Sequence, residues 1–355
     1  MTVPARKIGV LTFHRCINYG SYWQARCLAE GLRGYSAEPE LLEHESAQVT
    51  RAEWRCAFQP LLPRRTARED LPRYGAKARK FLAAFDRLPR SRPFPLDRPE
   101  ELGPQEMVIV GSDEVWNLQH PWYGGKPIFY GEGLSTARLV SYAASFGNHD
   151  ASAGLGPDWA RSLDRFDAIS VRDENSRALV REATGRDPAL VLDPVLQFPP
   201  EAEPGAAEAP YLAVYGHSFP RWYAEAVRRW AGQARLRLLS IGYRNEWADA
   251  HLIEAGPEDF ARLIAGAAAV ATNFFHGCVF ALANARPFVC VGSAYRSNKL
   301  RDLTHGLGAA RHLVDEETGP ERIPDLLATP LDPAIPARIA ELRARSDAYL
   351  RHALA

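Results

Sequence analysis

Short apolar runs rich in β-branched residues alternate along this chain with longer stretches whose apolar positions recur at helical spacing. In the first half the strand-like runs are KIGVLTF from Lys7, EMVIVGS from Glu106, RLVSYAASF from Arg138, AISVRD from Ala168 and ALVLDP from Ala189. In the second half they are YLAVYG from Tyr211, RLRLLSIGY from Arg235, AAAVATN from Ala267 and RPFVCVG from Arg286. Helical spacing covers Ser21 to Leu32, Glu174 to Glu182, Arg221 to Ala231, His276 to Ala285 and Ala334 to Leu354. Strands of this kind between amphipathic helices predict βα units and parallel sheets, hence an α/β protein.

The stretch QFPPEAEPGAAEAP from Gln197 has no periodicity and separates two βα series. It places a first domain at residues 1–198, a linker at 199–210, a second domain at 211–332 and a terminal helix at 333–355 that packs back across the domains. A chain of 355 residues is long enough for two cores. Within the first domain, residues 51–98 carry thirteen Lys/Arg against five Asp/Glu, with Trp54, Phe58, Phe81, Phe85 and Phe94 interleaved. Two readings follow: a solvated helical insertion whose aromatics face a core, or a docking surface for an anionic lipid or phosphate-bearing acceptor.

Composition narrows the picture. Lys+Arg and Asp+Glu both number 43, so no overall charge points to nucleic acid. The five cysteines are widely spaced with no CxxC pair, which argues against a disulfide framework or structural zinc and favours a reducing compartment. The apolar run in MTVPARKIGVLTFHR is too short for a signal peptide, and no run is long enough to span a bilayer. The expectation is a cytoplasmic protein that meets any membrane at its inner face, by peripheral contact through the arginine-rich segment.

Polar residues gather where strands hand over to helices, the edge at which open α/β sheets bind ligands. After the first strand, Asn18 and Gly20 precede a helix whose N-terminus offers N–H groups and partial positive charge to an anion. VIVGSDEVWN ends another strand with Ser112, Asp113 and Glu114, followed by Trp116 and Asn117, an indole beside an amide as sugar sites use. The bland alternative makes Asp113 a helix cap and Trp116 a core residue. In AISVRDENS, Arg172 suits a carboxylate or phosphate, or else an ion pair with Asp193. In ATNFFHGC, Thr272 and Asn273 end a strand and His276 opens a helix, whose dipole favours a neutral imidazole able to exchange protons. Arg296 and Lys299 follow a later strand end as a second anion grip. No spacing suggests a metal site.

Taken in order, FHRCINYGSYWQA, VGSDEVWN, SYAASFG, ISVRDENS, VLDPVL and FFHGCVFALANARPFV resemble the polysaccharide pyruvyl transferase family, from about Lys7 to about Leu303. The resemblance implies two Rossmann-like domains in a GT-B-like arrangement with a cleft between them. It further implies transfer of the enolpyruvyl group of phosphoenolpyruvate to a sugar or glycan acceptor, with a pyruvate ketal and phosphate as products; whether the acceptor is lipid-linked, polymeric or a small metabolite stays open. The family's histidine falls on His276, its SVR arginine on Arg172, and its loop asparagine and glycine on Asn18 and Gly20. Many members carry an arginine two residues before the histidine; here that position is Phe274.

The expected assignments are His276 as acid–base residue, Arg172 as anion clamp and Asp113 as base. Asn18, Gly20, Asn273, Arg296 and Lys299 join Arg172 and His276 on the donor, and Ser112, Glu114, Trp116 and Asn117 hold the acceptor. No cofactor is expected beyond the donor substrate. The competing readings are a GT-B glycosyltransferase using a nucleotide sugar and a non-catalytic glycan-binding relative.

Overall fold

The computed structural model describes residues 6–203, 209–292 and 297–355. Its main elements begin with β1 (Arg6–Leu11), α1 (Tyr19–Leu32), β2 (Ala37–Leu41), α2 (Ala47–Phe58), α3 (Leu71–Phe85), β3 (Gln105–Val110), β4 (Thr136–Ser141) and α4 (Glu174–Thr184). They continue with β5 (Tyr211–Tyr215), α5 (Arg221–Gln233), β6 (Arg237–Ile241), β7 (Ala250–Leu252), α6 (Pro257–Ala265), β8 (Ala269–Thr272), α7 (Phe275–Ala283), β9 (Phe288–Val291), α8 (Ser297–Gly306), β10 (Leu313–Val314), α9 (Gly319–Ala328) and α10 (Ala334–Leu354).

Two compact units result. The first holds residues 1–53, 87–199 and 340–355, and the second holds 54–86 and 200–339. The first unit has a parallel sheet in the order β2-β1-β3-β4. Bridges from Val140 to Ala168 and from Ala144 to Val171 lead on to the short pair Ser170–Val171 with Ala189–Leu190. The second unit has a parallel sheet in the order β7-β6-β5-β8-β9-β10. The α/β class with two Rossmann-like units, expected from the pattern and the resemblance, is the fold found.

Each sheet is covered on both faces, so its central strands are apolar throughout. Val108 and Val110 of β3 pack with Leu11, Phe129 and Val171 in the first core. Leu212 and Val214 of β5 pack with Tyr223, Ala271 and Val289 in the second. Strand β2 breaks that rule and escaped the sequence reading. Its residues AEPEL alternate buried and exposed, and Glu and Pro are depleted in central strands but tolerated at an edge.

The arginine-rich segment, assigned to the first domain on chain order, contributes Trp54–Asp86 to the second unit. Three of its cations find carboxylates there. Arg64 pairs with Glu246 at 2.7 Å, Arg73 with Glu254 at 2.7 Å and Lys80 with Asp259 at 2.6 Å. Phe81 and Phe85 turn inward and are buried, as an insertion with a core-facing stripe requires. From Ala340 onward α10 counts with the first unit, where Tyr349 Oη donates to Ser141 O at 2.6 Å and Arg343 Nε to Leu196 O at 2.6 Å. Among the described residues no helix is long and apolar enough to cross a membrane.

Candidate functional site

In the first unit three of the quoted motifs meet at the carboxyl ends of β3 and β4. Ser145 N donates to Asp113 O at 3.0 Å, Trp116 N to Ser145 O at 3.1 Å and Ser112 Oγ to Ala143 O at 3.2 Å. Ser145 Oγ then donates to Asp173 Oδ2 at 2.6 Å, and Asp173 caps α4 by accepting from Ser176 N. Gly147 closes the join. Its φ is +61°, and a Cβ there would run into Glu114 Oε2 and Asn117 Nδ2. This is the physical reason that GSDEVWN and SYAASFG occur together.

That interlock corrects the acceptor assignment. Trp116 is fully buried, donates Nε1–H to Phe129 O at 2.8 Å, and packs against Tyr130, Phe146 and Phe166. No face is left for a sugar. Asn117, also buried, donates to Glu114 Oε2 and to Asn148 Oδ1, both at 2.8 Å, and accepts from Gln119 N. Ser112 is sealed as well. Ser112, Trp116 and Asn117 are therefore taken up by the fold, their hydrogen bonds spent on Ala143 O, Phe129 O, Glu114 and Asn148, and Glu114 is tied to the same interlock through Asn117.

Asp113 is different. No helix follows it, so it caps nothing, and its φ is +75°. Its carboxylate accepts from Ser21 Oγ at 2.9 Å and from Glu114 N at 2.9 Å, and lies 3.3 Å from Arg172 Nη2. Arg172 also reaches Asp193 at 3.0 Å, and its side chain is 2% exposed. Burial disfavours the guanidinium charge, but Asp113 and Asp193 hold its pKa above the ordinary arginine value. The clamp role is corrected on this ground: the cation already serves two carboxylates in a dry site. At the start of α1, Asn18 Oδ1 accepts from Gly20 N at 2.8 Å and Ser21 N at 3.3 Å. The loop thus caps its own helix, and the N–H groups expected to hold an anion are taken.

Sequence reasoning missed a second group of titratable residues beside β1. His14 Nε2 lies 3.0 Å from Glu43 Oε2, and Arg15 Nη1 donates to Glu43 Oε1 at 2.6 Å. Although burial pulls the Glu43 carboxyl up, His14 and Arg15 bring it down to about 2. Burial pushes Glu53 up to about 7, against the pull of the Ile17 N–H and Arg15. His44 Nε2 lies 3.0 Å from Thr12 O, and burial followed by the nearby His14 takes it down to about 4. The signal was on the page as FHR and EHE, two short polar clusters beside strands, but neither has a spacing that singles it out.

In the second unit, β8 delivers Thr272, Asn273 and Phe274 to the start of α7. Thr272 Oγ1 donates to Tyr215 O at 2.7 Å, and Asn273 Nδ2 donates to His217 O at 2.8 Å. A Cβ on Gly277 would collide with Thr272 Oγ1, so only glycine lets α7 begin this close to β8. His276 stands in the first turn of α7 and is 9% exposed. Phe274 meets the rings of Tyr215, His217 and Tyr243 edge to face at 5.0, 5.2 and 5.7 Å. An aromatic box thus occupies the position where the family often has a cation. Lys299 lies half-buried on α8, and Arg296 lies outside the described residues. No cluster of His, Cys, Asp and Glu suited to a metal ion occurs among the described residues.

A family model described as polysaccharide pyruvyl transferase matches residues 18–295. No curated protein matches the sequence. Among solved structures, the S. aureus MnaA–UDP co-structure is 14% identical, with a TM-score of 0.52 over 90% of this chain and 86% of that one. The glycosyltransferase SnogD from Streptomyces nogalater is 15% identical, with a TM-score of 0.47 over 99% and 98%. At 14% identity the MnaA likeness concerns the fold.

Proposed function

The chain belongs to the polysaccharide pyruvyl transferase family, and from that premise we propose that it moves the enolpyruvyl group of phosphoenolpyruvate onto a sugar, forming a pyruvate ketal and releasing phosphate. The observation that carries this reading is the family match from residue 18 to residue 295, which takes in β3 and β4 of the first sheet, β5 to β9 of the second, and the residues Asp113, Arg172, Asn273 and His276.

The reaction asks for an acid at the methylene carbon, a base for the attacking hydroxyl, and cations for the donor's carboxylate and phosphate. His276 is the proposed acid. Protonation turns the methylene into a methyl group and leaves the adjacent carbon open to an acceptor hydroxyl. A second hydroxyl then replaces the phosphate at that carbon, which closes the ketal. Asp113 is the proposed base, and Arg172 positions it. Asn273 and Lys299 are retained as donor-side residues; the role of cation falls to Lys299 because Phe274 carries no charge. Arg296 keeps its proposed part on the same side.

Incubation with phosphoenolpyruvate and a panel of candidate glycans, with inorganic phosphate measured, tests the reading. Acceptor-dependent phosphate release is the expected result. Thermal stabilisation by nucleotide sugars but not by phosphoenolpyruvate would replace it with glycosyl transfer.

A further inference from the structure

The second unit holds a polar cavity of about 160 Å³ that none of the motifs predicted. It is lined by Leu61, Arg64, Arg65, Thr66, Ala67, Glu69, Asp70, Tyr74, Arg244 and Glu246. The first eight come from the arginine-rich segment. Arg244 and Glu246 lie just past the carboxyl end of β6, the edge at which parallel sheets take ligands.

The lining chemistry narrows the ligand. Three guanidinium groups face three carboxylates, so the formal charges cancel and no net field draws a phosphate. Arg244 makes a bidentate pair with Asp70, and Arg64 pairs with Glu246. The Arg244–Asp70 pair sets a fixed donor beside a fixed acceptor, the exposed Arg64–Glu246 pair adds a second donor and acceptor at the rim, and each hydroxyl of a sugar both donates and accepts. Leu61 and Ala67 add apolar surface for the ring's C–H face, with Tyr74 buried beneath. Two side chains of the lining make no hydrogen bond within the described residues, the exposed Arg65 and the half-buried Thr66. Arg65 makes no ion pair or hydrogen bond with the described residues, and Thr66 Oγ1 is shielded from solvent without a hydrogen-bond partner. Size excludes the larger candidates. Drug-sized ligands occupy roughly 300–1,000 Å³, so this cavity takes a single ring rather than a nucleotide sugar.

We propose that this cavity is a subsite for one neutral pyranose residue of a glycan, with Arg65 and Thr66 as its unfilled hydrogen-bonding positions. The proposal deepens the pyruvyl-transfer reading and rests on it for the role of the bound sugar. It also supplies a sugar contact that the buried residues around Trp116 do not offer.

Ligand-observed saturation-transfer NMR on the full chain tests it, without phosphoenolpyruvate, using the methyl glycosides of glucose, galactose and mannose, and inorganic phosphate as the anionic control. At least one glycoside should bind, and Arg65→Ala and Thr66→Val should each weaken that binding roughly tenfold. Both variants should melt at the wild-type temperature, because neither side chain gives up a bond within the protein. Absence of any glycoside signal overturns the proposal, as does a signal unchanged in both variants. Binding of phosphate alone, lost in Arg65→Ala, overturns it in favour of an anion site. Phosphate release from phosphoenolpyruvate is measured separately, so that a failure of pyruvyl transfer leaves the glycoside result standing on its own.

Discussion

Arg172 Nη1 lies 3.0 Å from Asp193 Oδ2, with both side chains almost wholly shut off from water. The second nitrogen faces Asp113, so one guanidinium holds the end of the strand after β4 to the end of β3. Breaking a buried pair from one side strands the remaining charge, and that penalty exceeds the net worth of the pair itself. Arg172→Met should therefore destabilise the protein by roughly 3–5 kcal/mol, read as a lower urea midpoint. Wild-type stability combined with weaker phosphoenolpyruvate binding would return Arg172 to the role of an anion clamp.

His276 is tested by activity rather than stability. Removing an acid–base group costs roughly two to four powers of ten in turnover. His276→Ala should cut phosphate release on that scale while the melting temperature holds. Retained turnover with the true acceptor would take the proton-transfer role away from it.

Lys77 offers a pH prediction. Its ammonium is buried, donates to Gly242 O at 3.2 Å and lies 4.6 Å from the centre of the Tyr243 ring. Burial takes its pKa down to about 7, with Cys56 opposing. Between that value and the ordinary lysine range near 10.4, the unfolded chain binds a proton that the folded chain does not, so stability rises with pH across this window. Below about pH 7 the folded protein carries the full cost of the buried charge. Lys77→Met should flatten this dependence and stabilise the protein at pH 6 by an amount on the order of a few kcal/mol. Denaturation midpoints at pH 6 and pH 9 decide it; parallel profiles for the two proteins would refute the assignment.

Gly147 is open to a one-methyl test. With φ at +61° and Glu114 and Asn117 in the space a Cβ would enter, Gly147→Ala faces both backbone strain and a clash. A loss of roughly 1–3 kcal/mol is expected. Gly185, at φ +69° with nothing near its would-be Cβ, serves as the control that isolates the backbone contribution.

Much of the architecture was legible because its signals are local. The runs from Lys7, Glu106, Tyr211, Arg235, Ala267 and Arg286 each became a sheet strand, since strands covered on both faces must be apolar throughout. The terminal helix was readable for a similar reason: its apolar spacing from Ala334 to Leu354 matches the turn of the helix that forms there. Strand β2 was not readable, because at an edge only its pairing with β1 makes AEPEL a strand.

The chemistry divides along the same line. By itself the sequence determined which polar residues stand at strand ends, because that placement follows from the backbone pattern on either side of them. Whether such a residue meets solvent was decided only in three dimensions. Trp116 and Asn117 are closed in by Phe129, Asn148 and Phe166, and Arg172 is neutralised by Asp113, 59 positions away, and Asp193, 21 positions away. Burial and charge pairing depend on neighbours brought together by folding, and a one-dimensional pattern carries no record of them.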